Sequence, residues 1–472
     1  MHVRLRSVRF AVSDCVTRLP FRFGIHTLTW APTLTARVEL ETDAGTAIGH
    51  SADLLVPKWF EKDPGKSLQD DVEGLMASAE AAGRVAQSAS PQSVFDLWWR
   101  TYSVRVHGEP ESAPDRLLRG FGVALVERAV IDAACRAAGL SFFEALQQDL
   151  FQVRPEVALS ELADWSLAES LGAAPRSRVA LRHTVGLVDA LVASDVQGPR
   201  VDDGLPESLE EDIRAYGLRW FKLKLSGDPA ADRERCLRFA EVVDAGAPDD
   251  WRVTVDGNEQ FADLGVLVGL FRELGREPLG ARLLERLTCI EQPLPRARSF
   301  EKSAIEGLAA LGEHAPVILD EADHGIEAFP RALALGYGGV SVKNCKGVFR
   351  ALLNRGLCER HRAFQSAEDL TNLGVLALQQ DLTTVAALGL GHVERNGHHY
   401  FRGLSHLPAA EAQSALETHP DLWRGSAGGI ELRVEGGELQ LGSLQAPGYG
   451  YSSAIEFDAR TPLADWRYEE PA

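Results

Sequence analysis

Eight short apolar segments, separated by stretches of helical periodicity, constrain the fold of this chain more than any other feature. The segments are residues 179–185, 220–225, 252–256, 287–291, 317–320, 339–343, 363–367 and 392–394. Helices are predicted between several of them, over 230–245, 261–274, 300–311 and 347–361. Alternation of this kind is typical of βα units with a parallel sheet, and eight units fit one (β/α)-barrel. The sequence therefore predicts an α/β protein built on a barrel.

The regions on either side of the barrel have a different pattern. Residues 1–60 favour strands, with period-two alternation over 35–42, and residues 68–148 favour helices. The clearest helix is predicted over 121–138 and ends at Gly139, a residue that favours helix C-termini. Residues 415–472 return to strands and turns. We expect an N-terminal α+β domain of residues 1–150, a barrel of residues 151–414, and a C-terminal segment, 415–472, that folds back on the first domain.

Composition excludes some partners. A formal net charge of −19 and a pI near 5.2 argue against nucleic acid or an anionic membrane as partner. The N-terminus lacks an apolar signal core, and no apolar stretch approaches the length of about 18 residues that a membrane span needs. The six cysteines are scattered without a Cys-x-x-Cys pair, which favours free thiols. We expect a cytoplasmic protein, and assembly into a homo-oligomer is left open.

Lys222-Leu223-Lys224 lies on the second apolar segment. A strand sends alternate side chains to one face, so both ammonium groups point to the same region. Repulsion between two partly buried cations lowers the pKa of at least one, and a lysine that loses its proton near neutral pH can act as a general base. Alone the pattern is weak, because Lys-x-Lys is common on exposed strands.

Other charged residues also stand at the ends of apolar segments. Asp256 ends the third, Glu291 the fourth, Asp320 the fifth and Lys343 the sixth. Each has an ordinary alternative, since Asp256 can belong to a hairpin turn, Glu291 to a strand exit and Asp320 to a helix cap.

Considered together, these residues predict an active site. In a barrel the C-terminal ends of the strands meet at one mouth, where charges without a function would be desolvated at a cost. Three carboxylates suit a hard divalent cation, foremost Mg²⁺, and the lysines would then act as acid and base. This arrangement suits abstraction of a proton from the carbon next to a carboxylate.

At these residues the chain resembles the enolase superfamily, and within it the muconate-lactonizing-enzyme subgroup. That subgroup includes muconate cycloisomerases, o-succinylbenzoate synthases and dipeptide epimerases. The resemblance implies a modified TIM barrel with a capping domain formed by the N-terminal region and the C-terminal segment. The site residues that it implies are Asp256, Glu291 and Asp320 as ligands of Mg²⁺ (with Mn²⁺ as an alternative), Lys224 and Lys343 as the acid/base pair, Lys222 as partner of the substrate carboxylate, and Asn258 and Glu321 as supports of the ligands.

The implied function is that of a metal-dependent isomerase or lyase acting on a small carboxylate substrate. Removal of the α-proton would give an enediolate, followed by racemisation or epimerisation, cycloisomerisation or elimination. The alternatives are an acid-sugar dehydratase-type lyase and a non-catalytic member of the fold. Strand eight lacks the Asp-x-Asp of dipeptide epimerases, no double glycine follows Lys343, and the segment 153–178 has no counterpart in the family pattern.

Residues that would determine specificity are predicted from position. The aromatic-rich segment 21–32 resembles the specificity loop of the family and would cover the mouth, with Arg22, His26 and Trp30 toward the substrate; a packed surface loop is the alternative. Glu368 stands at the seventh segment with an open role. His398 is assigned either to substrate contact or to a solvated loop, and Lys346 to the protein surface.

Overall fold

The computed structural model describes residues 1–110, 113–426 and 428–469. Its strands are β1 His2–Phe23, β2 His26–Thr42, β3 Gly45–Leu54, β4 Gln92–Ser93, β5 Arg178–Val185, β6 Trp220–Lys224, β7 Arg252–Asp256, β8 Leu287–Glu291, β9 Val317–Leu319, β10 Gly339–Val342, β11 Phe364–Ala367, β12 His392–Arg395, β13 Trp423–Ser426, β14 Gly429–Leu432, β15 Glu438–Gln440 and β16 Thr461–Pro462.

The α-helices lie mainly between the strands of the barrel and beside the first sheet. They are α1 Leu68–Gln87, α2 Val94–Tyr102, α3 Arg116–Ala138, α4 Phe142–Gln147, α5 Pro155–Ala158, α6 Leu167–Ser170, α7 Leu209–Tyr216, α8 Pro229–Gly246, α9 Leu264–Leu274, α10 Pro278–Arg286, α11 Leu308–Gly312, α12 Ala328–Leu335, α13 Val348–His361, α14 Leu376–Ala387, α15 Gly397–Tyr400 and α16 Ala409–Thr418. A π-helical turn, Ser103–His107, continues α2, and short 3-10 turns cover Ser160–Leu162, Ala193–Asp195, Asn344–Lys346, Gly442–Gln445 and Phe457–Ala459.

The eight apolar segments form a closed parallel barrel, as predicted. Strands β5 to β12 pair in chain order, and β12 pairs with β5 to close the ring. Helices α8, α9 and α13 match three of the four predicted helical stretches, whereas 300–311 forms only the short helix α11. That helix follows Gly307, whose φ of +108° lies outside the right-handed helical region and interrupts the predicted stretch.

The N-terminal sheet is antiparallel and packs against helices. Its order is β16-β1-β2-β3, with β4 paired to β1. Helix α3 lies against β3 so closely that a Cβ on Gly49 would come within 2.2 Å of Ala129 O. Most residues of α3 are buried, and this helix also contacts the first turn of α13. The sheet therefore rests on a largely buried helix that also reaches the barrel.

The C-terminal segment returns to the first sheet, as expected. Strand β16 pairs with β1, and Trp466 stacks on Trp30 with ring centroids 6.5 Å apart. The same segment adds β15 antiparallel to β5 of the barrel. The segment thus contacts both sheets, and the domain limits at residues 150 and 414 stay a prediction; its last residues, 470–472, lie outside the described part.

Two expectations drawn from composition can be compared with the fold. Among the described residues, no helix combines the length and the apolarity that a membrane crossing requires. All six cysteines are buried free thiols, as predicted.

Candidate active site at the barrel mouth

Strand register brings the predicted site residues together. Lys224 on β6 is the pairing partner of Asp256 on β7, and Asp256 is that of Glu291 on β8. Asp320 follows the last residue of β9, and Lys343 follows the last residue of β10. Consecutive strands therefore place these side chains side by side at one end of the barrel, here called the barrel mouth.

Lys222 lies below this mouth among four carboxylates. Its Nζ is 3.0 Å from Asp256, 2.6 Å from Glu291, and 2.8 Å from both Glu368 and Glu394. Burial alone lowers the pKa of Lys222, but these charges outweigh it and hold the pKa well above the usual value. The expected pKa-lowering repulsion therefore does not apply to Lys222. This ammonium neutralises buried carboxylates, and it does not line the cavity at the mouth.

The other two lysines of the site face the cavity. Lys224 Nζ is 2.6 Å from Asp256 Oδ2, and Lys343 Nζ is 2.6 Å from Asp320 Oδ2. Lys343 also lies 4.6 Å from the centre of the Trp59 ring. Strands β6 and β10 are four positions apart in an eight-stranded ring, so the two ammonium groups approach the mouth from opposite sides.

The carboxylates of the site are crowded and incompletely satisfied. Both oxygens of Glu291 and Oδ2 of Asp320 are buried without an aligned hydrogen bond, although Glu291 Oε2 and Asp320 Oδ2 each have an ammonium group at 2.6 Å. The pKa of Glu291 is raised well above its usual value, first by burial and then by the charges of Asp256 and Glu368. Buried, mutually repelling carboxylates are the kind of oxygen ligands that a hard divalent cation prefers. These residues therefore fit the predicted magnesium ion.

Asn258 contacts both Asp256, a predicted ligand, and Glu321. The Asn258 backbone N–H donates to Asp256 Oδ1 at 2.8 Å, and its side-chain amide donates to Glu321 Oε1 at 3.4 Å. Burial, followed by the charge of Asp320, raises the pKa of Glu321 to about 7. Gly257 lies between Asp256 and Asn258, and a Cβ on it would come within 2.6 Å of Pro293 Cα. The Asp-Gly-Asn segment therefore packs against the chain that leaves β8 and does not form a hairpin turn.

Lys346 is buried, contrary to the predicted surface position. Its Nζ donates to Ser341 Oγ at 2.7 Å and to Asp323 Oδ2 at 3.1 Å, and lies 3.4 Å from Asp320 Oδ1. The cause is the 3-10 turn Asn344–Lys346, which bends the chain back under the barrel mouth after β10. Asp320 is therefore flanked by two ammonium groups instead of one.

The predicted specificity loop is a β-hairpin. Residues 21–23 continue β1 and pair with residues 26–28 of β2 around a turn at Gly24 and Ile25. Strand alternation buries Phe21 and Phe23, which line the cavity with Lys224 and Lys343. Arg22 between them is exposed. The hairpin tip, residues 21–28, thus covers the mouth. The side chains that reach the cavity are those of Phe21 and Phe23, which were not among the predicted specificity residues.

The remaining specificity candidates lie away from the cavity. Trp30 packs on Trp466 and Tyr468 of the C-terminal segment. His26 is half-buried beside Phe23, and burial lowers its pKa. His398 lies neither at the cavity of the barrel mouth nor in a solvated loop, because its Nε2 is 3.0 Å from His183 Nδ1 in a buried cluster. These placements correct the assignments of Trp30 and His398 to substrate contact or solvent.

The seventh and eighth barrel strands contribute two carboxylates, of which Glu368 was a predicted site residue and Glu394 was not. Glu368 is fully buried, bonded to Lys222 and to Arg182. Glu394 ends the eighth segment, accepts from Thr184 Oγ1 at 2.6 Å, and lines the cavity. The strand-end rule that identified Asp256 also applies to Glu394. Trp59, which covers Lys343, comes from an irregular segment that offers no such signal.

The mouth is almost closed. The space between the lysines, Glu394 and the aromatic cover is about 20 Å³, room for little more than a water molecule.

A closed parallel barrel with carboxylates and lysines gathered at its mouth defines a barrel protein with an enzyme-type site. A model of the family described as enolase C-terminal domain-like matches residues 204–456, more than half of the chain. The chain belongs to the enolase superfamily. No curated protein matches the sequence.

Solved structures agree in fold at low sequence identity. The muconate lactonizing enzyme from Pseudomonas fluorescens, complexed with muconolactone, has a TM-score of 0.60 at 16% identity over 97% of this chain and 98% of that one. An enolase from Bradyrhizobium, complexed with magnesium and mandelic acid, has a TM-score of 0.61 at 17% identity over 98% and 99%. A dipeptide epimerase from Enterococcus faecalis, complexed with Mg and L-Leu-L-Tyr, has a TM-score of 0.59 at 14% identity over 95% and 99%.

Proposed function

We propose that this protein is a magnesium-dependent enzyme that removes the proton α to the carboxylate of a small acid. The observation that carries the proposal is that Lys224 and Lys343 line one cavity from opposite sides, each paired with a carboxylate of a three-carboxylate cluster. A proton acceptor on one face and a donor on the other are what inversion or elimination at an α-carbon needs.

The ligands of the proposed cation are Asp256, Glu291 and Asp320, which stand at the ends of three consecutive barrel strands. When bound, Mg²⁺ supplies a positive charge that stabilises the negative charge developing on the substrate carboxylate. These carboxylates would then be shared with the cation and hold the lysines less tightly. Burial acts to lower the pKa of Lys343, but the Asp320 charge helps to hold that pKa well above its usual value, and sharing Asp320 with a cation would weaken this effect. The chain thereby couples metal binding to a lysine that can give up its proton.

The other residues of the mouth bind and enclose the substrate. Phe21, Phe23 and Trp59 exclude water above the lysines, which strengthens the electrostatic interactions beneath them. Lys222 acts as a positioning residue, because its ammonium holds Asp256 and Glu291 in place from below. Glu394 adds a negative charge on the eighth strand, where the dipeptide epimerases that the chain resembles carry an Asp-x-Asp.

The substrate class follows from the size and charge of the site. A cation between three carboxylates attracts a carboxylate ligand, and the aromatic cover favours an apolar or planar body. The related structures named above hold muconolactone, mandelic acid and a dipeptide, and a small carboxylate is proposed for this chain by that likeness.

The proposal is tested by exchange of the substrate α-proton. N-acyl amino acids, dipeptides and succinylbenzoate-type acids are incubated with the protein in deuterated water with Mg²⁺, and loss of the α-proton signal is followed by proton NMR. We expect exchange with at least one class, abolished by EDTA and by Asp320→Asn. Absence of exchange across all three classes at saturating Mg²⁺ would favour the non-catalytic alternative.

A further inference from the structure

A second cluster of ligand-type side chains lies outside the barrel mouth, where β12 closes the barrel on β5. His183 comes from β5, Asp212 from α7, and His398 and His399 from α15. His183 Nδ1 is 3.0 Å from His398 Nε2, and His183 Nε2 is 3.6 Å from Asp212 Oδ2. One ligand atom from each of His183, Asp212 and His398 lies within 4.8 Å of the others.

The carboxylate of this cluster is buried and unsatisfied. Asp212 is 0% exposed, and neither of its oxygens accepts a hydrogen bond. His399 Nδ1 is 2.9 Å from Asp212 Oδ2 but is not aligned to donate, and His398 Nδ1 is also buried without a partner. A buried carboxylate left without hydrogen bonds is expensive, and such groups in native proteins commonly mark a missing ion or water.

We propose that His183, Asp212 and His398 bind a transition-metal ion, foremost Zn²⁺, at a site separate from the barrel mouth. Two imidazoles and one carboxylate form a ligand set typical of zinc and unlike the all-oxygen set that suits magnesium. The two short separations use different nitrogens of His183, Nδ1 toward His398 at 3.0 Å and Nε2 toward Asp212 at 3.6 Å. The His183 ring would therefore offer one of its two nitrogens to an ion that has ligands at about 2.0–2.1 Å.

A fourth ligand position has space beside His398. A cavity of about 20 Å³ lined by His398 and Tyr216 adjoins the cluster and holds about one water. His399 Nδ1, 2.9 Å from Asp212 Oδ2, would remain beside the carboxylate as a supporting group, as is common for metal-bound carboxylates.

A metal ion at this site would connect parts of the barrel that are far apart in sequence. The three ligands come from the first strand of the barrel, the helix before the second strand, and the segment after the last strand. An ion there would join the two ends of the barrel at their seam. It would also fix the segment carrying Asn396, which lines the cavity at the mouth.

The test uses the full-length protein with Mg²⁺ in excess, so that the carboxylate cluster at the mouth is filled. Zn²⁺ is added, unbound metal is removed by gel filtration, and zinc is measured by mass spectrometry. We expect about one Zn²⁺ per chain, lost in His398→Asn and in Asp212→Asn and retained in Asp256→Asn. His419→Asn is the matched control, because His419 is a buried histidine whose Nδ1 lies 2.9 Å from Ser443 Oγ, in a different hydrogen-bond network.

A measurement on the unaltered protein covers the case in which a variant fails to fold. Co²⁺ added in the presence of excess Mg²⁺ should give the intense visible absorption of a tetrahedral nitrogen–oxygen site, without a thiolate charge-transfer band. Failure of the wild-type protein to retain zinc or to show this spectrum overturns the proposal. Equal zinc retention in wild type, His398→Asn and Asp212→Asn overturns it as well, and leaves a hydrogen-bonded Asp212–His183–His398 network.

Discussion

At the residue scale, the lysines of the barrel mouth form ion pairs with the proposed metal ligands. Lys224 pairs with Asp256, Lys343 with Asp320, and Lys222 with Glu291. A cation that binds the carboxylates therefore changes the protonation of the lysines, and a lysine that is removed leaves its carboxylate free for the cation. Loss of a lysine should affect chemistry far more than it affects metal binding.

Lys343→Ala is expected to lower α-proton exchange by about 10²–10⁴-fold or more, because it removes one of the two groups that exchange a proton with the substrate. Magnesium affinity, measured by calorimetry, should be retained or increased, since Asp320 loses a competing cation. Lys302→Ala, at an exposed position, is the control. Unchanged exchange in Lys343→Ala would refute the catalytic role.

Strand alternation in the hairpin tip gives a paired prediction. Phe23→Ala removes an aromatic ring from the cover of the cavity and should raise KM for the substrate or lower kcat/KM by about tenfold or more, as expected for a lost lid contact. Arg22→Ala changes a side chain on the opposite, exposed face and should leave both constants unchanged. Steady-state kinetics of the two variants decide, and the reverse ranking would restore the original assignment of Arg22 to the substrate.

These residues also show what the sequence could predict. That Asp256, Glu291 and Lys343 lie at one mouth could be predicted because parallel register places strand ends together whatever the helices between them do, and their roles stay a prediction. Lys346 and the pairing of Lys222 with four carboxylates were missed, because both depend on side-chain directions below the mouth. For Arg22 and Phe23 the error came from assigning a loop where the chain forms a hairpin, since only a strand determines which face each side chain takes.

At the element scale, α3 connects the first sheet to the barrel through a buried carboxyl. Glu127 accepts from the backbone N–H groups of Phe349 at 2.7 Å and Val348 at 3.3 Å, in the first turn of α13. Burial raises the pKa of Glu127 to about 8, more than these two hydrogen bonds lower it. Because the folded-state pKa lies above the unfolded one, this group favours folding at low pH, and its contribution is lost as pH rises toward 8.

Glu127→Gln keeps the shape of the side chain and removes its titration. We expect wild-type stability to decline between about pH 5 and pH 8 and this decline to be smaller in the variant, by an amount on the order of a few kcal/mol. Urea unfolding at several pH values measures it, with the exposed Glu73→Gln as control. Identical slopes in wild type and Glu127→Gln would show that the carboxyl does not change its proton affinity on folding.

Predictability also differed between elements. All eight barrel strands were located within about two residues, because short apolar runs between polar helices have no other stable arrangement in a parallel sheet. The helix expected over 300–311 was shortened by Gly307, and α10 was not predicted, although Pro278 at its first turn is a typical helix start.

At the scale of the whole molecule, the C-terminal segment ties the first sheet to the barrel. Strand β16 extends the first sheet, β15 extends the barrel, and Trp466 is buried against Trp30. Such long-range pairing could be expected from sequence only as a general return of the chain, since strand pairing across hundreds of residues leaves no local pattern.

Trp466→Ala should destabilise the protein by about 3 kcal/mol, because it removes a buried aromatic ring from between the segment and the first sheet. The denaturant midpoint should fall in this variant and stay unchanged in Arg467→Ala, whose side chain is exposed. Equal midpoints for wild type and Trp466→Ala would show that the segment contributes little to the stability of the first sheet.

The central claim is that one divalent cation binds among Asp256, Glu291 and Asp320 at the barrel mouth. Crystals grown with Mn²⁺ and measured by anomalous diffraction test it most directly, because manganese replaces magnesium at oxygen sites and its position is seen independently of the protein atoms. We expect an anomalous peak within about 2.0–2.3 Å of an oxygen from each of the three carboxylates. A well-ordered structure with no peak there, or with these carboxylates too far apart to share one ion, would contradict it.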